Sequence, residues 1–261
     1  MLLLGRNIRI IRFTGSYITV DLGLAKKSAR WVPKLLSEEQ KLTRLQFSRD
    51  FCRRAVTDAG LLNKIVTMDE SAVSFHTPET KAQSKQWLPK GAPGPIKARV
   101  HASRKKPMIL AFFDNQGMIY TNYLEMGKIV NADYIIDALG RFLKVFKARR
   151  PEKAAGDWIL HWDNAPVHTA ARTRAFMEEK KIQTLGHPPY SPDLAPADFY
   201  LFPTVKAALA GDSIQGNSIK TAWERVVGGL PKEAFFKAYQ KWHDRHLKCV
   251  RLEGDYVEIN E

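Results

Sequence analysis

Short β-type runs alternate with amphipathic helical stretches along this chain, and their order leaves few architectures open. The first β-type run is Lys64-Ile65-Val66-Thr67-Met68-Asp69, continued by Ala72, Val73 and Phe75. Residues 107–113 and 118–123 flank Asp114-Asn115-Gln116-Gly117, a short polar connection ending in glycine, and read as a hairpin. Asn131 is placed to cap a helix to about Arg150, with Ile135, Ile136, Leu139, Phe142, Leu143 and Phe146 at helical spacing. Trp158-Ile159-Leu160-His161-Trp162 is a buried-type strand that ends at Asp163. A helix over about 169–179, a strand over 182–185, a proline-rich loop over 187–196 and a helix over 197–209 follow. Upstream, Ser37 and Gln40 form a capping-box pattern for a helix to about Ala59, with Leu42, Leu45, Phe47, Phe51 and Val56 as its apolar face. The tail from Ser218 is helical, broken near Gly228-Gly229 and Pro231. This order predicts an α/β chain, a mixed sheet with helices packed on it.

The chain has 261 residues, 44% of them hydrophobic, enough for one sizeable core. No apolar run reaches the roughly 18–20 residues that span a bilayer. Met1-Leu2-Leu3-Leu4 is too short for a signal-peptide core and soon meets Arg6 and Arg9. The expectation is therefore a protein that is not secreted, nuclear in a eukaryote and cytoplasmic otherwise. Cys52 and Cys249 form neither a metal-type spacing nor a disulfide framework.

A net charge of +14 favours a polyanionic partner, of which nucleic acid is the commonest. The charge is concentrated. Between Lys81 and Lys106 lie eight cations, Lys81, Lys85, Lys90, Lys97, Arg99, Arg104, Lys105 and Lys106, and no anion. Gly91, Pro93, Gly94 and Pro95 argue against a helix there, so the stretch reads as a basic loop or hairpin able to track phosphates. Trp87 within it reads equally as a platform for an unpaired base or as an apolar anchor.

Three aspartates occupy the places where such a sheet gathers its chemistry. Asp69 ends or interrupts the first strand, Asp163 terminates the 158–162 strand, and Asp198 opens a helix after a loop. Carboxylates converging there offer hard oxygen ligands to Mg²⁺ or Mn²⁺. Two such ions about 4 Å apart suit phosphodiester cleavage. Each residue also has a plainer reading: Asp198 as a helix-dipole charge, Asp163 as a turn former beside Asn164, Asp69 as a solvated edge residue with Glu70 as the ligand instead. Asn164 and His168 are candidates to orient groups around the second aspartate, with His168 alternatively a helix cap. His161 reads as structural, and Asp193 as a turn former.

Motifs narrow the choice. His187-Pro188-Pro189-Tyr190-Ser191-Pro192-Asp193-Leu194-Ala195-Pro196-Ala197-Asp198 resembles the signature at the third catalytic aspartate of mariner transposases. Trp162-Asp163-Asn164-Ala165-Pro166-Val167-His168 resembles the segment around their second, and Val66-Thr67-Met68-Asp69-Glu70 the strand holding the first. The 34 residues from 164 to 197, with aspartate in third place, match the mariner pattern within the Tc/mariner superfamily. Trp31-Val32-Pro33-Lys34-Leu35-Leu36 resembles that family's linker between its DNA-binding and catalytic parts.

The resemblance implies an RNase H-like catalytic domain over 37–261 with a helical C-terminal tail, preceded by a remnant of the DNA-binding region and linker over 1–36. It implies a metal-dependent DNA transposase, cutting and joining strands with two Mg²⁺ or Mn²⁺ ions on Asp69, Asp163 and Asp198, and working on DNA as a homodimer. Asn164 and His168 would act behind those ligands, and Lys85, Lys90, Lys97, Arg99, Arg104, Lys105 and Lys106 would meet DNA. Family members begin with two helix-turn-helix modules, whereas about 30 residues precede the linker motif here, so the expectation is a chain without its end-recognition modules. A non-enzymatic remnant that binds DNA or dimerises is the alternative. An RNA-cleaving RNase H-like nuclease fits the element order but not the motifs.

Overall fold

The computed structural model describes residues 32–73, 107–125, 127–210 and 218–258. The expectations for residues 1–31 and for the whole basic loop, Trp87 and the seven candidate DNA-contacting cations included, lie outside the described residues.

The capping box forms as expected. Ser37 accepts from the Gln40 amide, the Gln40 side chain accepts from the Ser37 amide, and α1 runs over Glu38–Thr57. A single turn, α2 (Leu61–Lys64), leads into β1 (Ile65–Ala72). The expected hairpin is β2 (Met108–Asp114) and β3 (Gly117–Tyr123), and Gly117 supplies the positive φ of 124° that its turn requires. Asn131 caps α3 (Ala132–Arg149) by accepting from the Tyr134 amide. Then come α4 (Pro151–Ala155), β4 (Ile159–His161), α5 (Pro166–Thr169), α6 (Ala171–Glu179) and β5 (Gln183–Leu185). A 3₁₀ turn at Pro192–Leu194 and a wide π-type turn at Ala197–Leu201 precede α7 (Phe202–Ala208), α8 (Ser218–Gly228) and α9 (Lys232–Arg251). No helix among the described residues is long and apolar enough to cross a membrane.

The sheet order is β3-β2-β1-β4-β5. β1, β2 and β3 form an antiparallel meander, while β4 and β5 run parallel to β1. Strand alternation divides the core in two. On one face Val66, Met68, Leu110, Phe112 and Leu160 pack against α3. On the other Ile65, Ile109, Phe113 and Ile159 meet α7, α8 and α9. The Tyr239 hydroxyl of α9 pairs with the Thr67 hydroxyl at 3.0 Å and donates to the Phe113 carbonyl, pinning that helix to two strands.

Two expectations are corrected. The buried face of α1 is Arg44, Leu45, Ser48 and Phe51; Leu42 and Val56 lie on its exposed side. Asp193, read as a turn former, is buried and holds a bidentate ion pair with Arg44 at 2.7 and 2.8 Å. Arg44 also donates to Ser191 Oγ and to the carbonyls of Gly254 and Asp255, and Asp193 accepts from the Val257 amide. One guanidinium thus ties α1, the proline-rich loop and the C-terminal turn together. That turn passes so close to α1 that a Cβ on Gly254 (φ 90°) would lie 2.0 Å from the Lys41 carbonyl oxygen.

Breaking a buried pair strands the remaining charge at a cost of roughly 3–5 kcal/mol. Arg44→Met is accordingly expected to lower unfolding stability by about that much in urea titrations. Combining it with Asp193→Leu should recover most of the loss.

Candidate functional site

The strand register gathers two of the three aspartates. β1 and β4 are parallel neighbours with Thr67 opposite His161. Two residues further along each chain, Asp69 and Asp163 come level at the carboxyl end of β4, with the same side-chain parity. That parity is the one shared by Ile65 and Ile159, so both carboxylates belong to the α9 face of the sheet. Asp198 arrives on the same side from the π-type turn, whose Ala197 and Leu201 are buried in that core. Pro203 has no amide hydrogen to continue an ordinary ladder, and the Phe202 amide reaches back five residues to the Ala197 carbonyl. The wide turn sets Asp198 at the rim, flanked by protein but reached by solvent, instead of inside the helix.

The charges oppose one another. Burial first, then the negative charges of Asp198 and Glu70, push the Asp69 carboxyl well above the usual carboxylate range. Desolvation by neighbouring protein, then the charge of Asp163, push Asp198 up to about 6. Asp163 goes the other way. Its burial would raise it, but hydrogen bonds from His168 and from the Ala165 amide outweigh that and hold it below its usual value.

His168 is fully buried, with Nδ1 2.8 Å from Asp163 Oδ1 and Nε2 2.9 Å from Glu70 Oε1. Burial alone would lower its pKa; the bonds to the two carboxylates raise it to about 10. Its ring stacks on Trp162, centroids 4.6 Å apart and planes within 2°. His168 caps no helix through its side chain, so the plainer reading for it is set aside. Asn164 donates to the His187 carbonyl, linking the end of β4 to the proline-rich loop. His161 is buried between that loop and α9, hydrogen-bonded to His187 Nδ1 at 3.1 Å and packed on Trp242, as a structural residue should be. Glu70 is not a neighbouring ligand alternative to Asp69. The two leave opposite faces of β1, and among the described residues the Glu70 carboxylate is hydrogen-bonded to His168.

The donor set fits a hard divalent cation. Three carboxylates repel one another, and hydrogen bonds from the described residues leave at least one oxygen free on each: Oδ2 of Asp69, Oδ2 of Asp163 and both of Asp198. Among the described residues no three His, Cys, Asp or Glu side chains are already gathered in metal-coordinating geometry. A cleft of about 760 Å³ elsewhere, along the outer edge of β3 between α3 and α8, includes none of these residues.

Comparison with known proteins gives the site a context. Residues 77–155 match the family described as "Transposase (partial DDE domain)". The chain is 32% identical over 241 residues to the Mariner Mos1 transposase of Drosophila mauritiana, covering 91% of this chain and 69% of that protein. It is 28% identical over 247 residues to the human histone-lysine N-methyltransferase SETMAR, of which it spans 34%. Its structure matches the Mos1 paired-end complex with left transposon end at a TM-score of 0.81, covering 93% of this chain and 70% of that one. The isolated Mos1 catalytic domain matches at 0.72, covering 87% and 99%. Mos1 paired-end complexes solved with Mn and with Mg match at 0.80 and 0.79.

The opposed charges have a measurable consequence. Asp198 holds its proton more tightly folded than unfolded, where a pKa near 3.9 applies. It therefore favours the folded state at low pH, and that gain is lost as pH rises from about 4 through about 6. Asp198→Asn is expected to melt higher than the wild type in EDTA at pH 7.5, with the difference closing toward pH 4. A variant melting no higher at pH 7.5 would show that the carboxylates do not oppose one another.

Proposed function

The chain belongs to the mariner transposases and carries their RNase H-like catalytic domain, and from that premise we propose that Asp69, Asp163 and Asp198 hold two divalent cations for DNA strand cleavage and transfer. The observation that carries this reading is that Asp69 and Asp163 come level on adjacent parallel strands, with Asp198 brought to the same side by the wide turn and an oxygen on each left for a cation. Mos1 structures obtained with Mn and with Mg support the choice of ion.

Bound there, Mg²⁺ or Mn²⁺ supplies Lewis-acid stabilisation of the charge developing on the attacking and leaving oxygens of a phosphodiester. The chain's own groups bind and orient. Asp163 presents Oδ2 because its Oδ1 already accepts from His168 and from the Ala165 amide. Asp69 is held by a bond from the Glu70 amide to Oδ1 at 2.7 Å. Asn164 keeps the proline-rich loop, and with it Asp198, against the end of β4. His168 has both ring nitrogens committed, so it is a positioning group and not the base that takes a proton from the attacking hydroxyl.

DNA is the substrate in this reading, in keeping with the transposon end bound by Mos1. The +14 charge and the cations Lys85, Lys90, Lys97, Arg99, Arg104, Lys105 and Lys106 supply the phosphate contacts. A homodimer would present two such centres, one for each DNA end.

Asp163→Ala is expected to abolish Mn²⁺-dependent nicking of supercoiled plasmid by the purified chain. Nicking that survives the substitution would remove Asp163 from the centre, and a wild type that binds duplex DNA without ever nicking it would favour a DNA-binding remnant. In a separate titration, replacing Arg104, Lys105 and Lys106 together by Ala should flatten the salt dependence of DNA binding by up to about 2.7 in log–log slope, at 0.9 per lost phosphate contact. An unchanged slope would take that cluster off the DNA-binding surface.

A further inference from the structure

One carboxylate stands beside the three aspartates but on the other face of the sheet. Glu70 follows Asp69 on β1, so its side chain leaves the sheet on the face covered by α3, together with Val66 and Met68. It is largely enclosed there, its side chain 15% exposed, with Oε1 2.9 Å from His168 Nε2. The opposite nitrogen of the same ring is 2.8 Å from Asp163 Oδ1. Each nitrogen of the ring thus has a carboxylate oxygen within hydrogen-bond distance, and the ring bridges the two carboxylates. The parallel Trp162 indole closes one face of the ring and favours a cation there. With the Ala165 amide also on Oδ1, Asp163 has a single oxygen, Oδ2, without a hydrogen bond from the described residues.

We propose that Glu70 is a positioning residue of the metal centre: acting through His168, it fixes the Asp163 carboxylate so that Oδ1 is spent on the protein and Oδ2 is left for the cation. The proposal rests on the reading of Asp163 as a ligand. Its physical basis is the anchoring of that ring. With Glu70 in place the His168 ring is anchored at both nitrogens; without it Nε2 loses its partner and the ring is held at Nδ1 alone. The ring can then tilt, and Asp163 Oδ1 loses the fixed donor that sets the direction of Oδ2. A carboxylate behind a histidine does the same elsewhere: it sets the tautomer and orientation of a group at a metal, and its removal typically weakens metal affinity about 10- to 100-fold. Here the histidine orients a ligand instead of being one.

Mn²⁺ binding by calorimetry on the whole chain, without DNA, tests the proposal independently of catalysis. Glu70→Gln is expected to weaken Mn²⁺ binding about 10- to 100-fold while leaving the metal-free melting temperature close to that of the wild type. A merely structural contact would do the reverse. Glu70→Asp, which keeps the charge and withdraws it from His168, should show a smaller loss of the same kind, and it replaces Glu70→Gln should that variant fail to fold. His168→Gln should weaken binding as well, and adding Glu70→Gln to it should cost nothing further, because the two act along one path. Wild-type Mn²⁺ affinity in both Glu70 variants overturns the proposal. So does a full additional loss in the double variant, which would make Glu70 act on the cation independently of His168. Asp163→Asn separates the levels: if it too binds Mn²⁺ like the wild type, the ligand reading fails, whereas loss there with no loss in the Glu70 variants rejects only the positioning role.

Discussion

The arginine inside the core holds this molecule's functional end in place. Arg44 is fully buried on the inner face of α1, yet every nitrogen of its guanidinium has an oxygen partner: the two Asp193 oxygens, Ser191 Oγ, and the carbonyls of Gly254 and Asp255. Burial opposes the charge, and the pairing with Asp193 more than offsets it. An apolar residue would fill the same space with no desolvation cost, but it could not hold three remote segments in one geometry. The proline-rich loop is one of those segments. Asp193 lies five residues before Asp198, between the His187 that meets the end of β4 and the wide turn that sets Asp198 at the rim. Trp242 and Arg245 of α9 grip the same loop through the carbonyls of Leu194 and Asp193. The carboxylate from the loop therefore reaches the sheet by a route fixed in the core.

The sheet supplies the other half of the arrangement by alternation alone. Asp69 and Asp163 share a side-chain parity on neighbouring parallel strands, whereas Glu70 has the opposite one. Four acidic groups thus come close without all facing the same space. Three gather on the α9 side, where burial and neighbouring charges raise the proton affinity of Asp69 and Asp198 while His168 holds Asp163 low; the fourth sits behind the sheet, on the far side of that ring. The imidazolium of His168 offsets part of the negative charge from the rear and leaves the front open.

Most of this architecture was legible in the sequence where local rules apply. The capping box at Ser37, the Asn131 cap, the glycine-ended hairpin and the short apolar strand running into Asp163 all form where their patterns indicate. The failures share a cause. Hydrophobic residues alone define a face of α1 that admits Leu42 and Val56 and omits Arg44 and Ser48. A polar residue enters a core only when its partners are already there, and those of Arg44 lie about 150 and 210 positions away. Asp193 looked like a turn former for the same reason. The bridge from Glu70 to His168 joins residues 98 positions apart, and nothing near either one announces it. The single-turn helices α2 and α4 are too short for any periodicity to show.

The three aspartates are not equally constrained, and the difference follows from the same contacts. Asp163 is tied by two hydrogen bonds to one oxygen, Asp69 by one from the adjacent amide, and Asp198 by none among the described residues. Ordering a side chain on a ligand costs conformational entropy in proportion to the freedom it had before. That cost falls least on Asp163 and most on Asp198. In the proposed reading, a graded site of this kind suits cations that must serve the breaking of one phosphodiester and the making of another. The two aspartates on the sheet have hydrogen bonds that fix one oxygen each, while the carboxylate at the rim is carried by a turn that has already departed from regular helix.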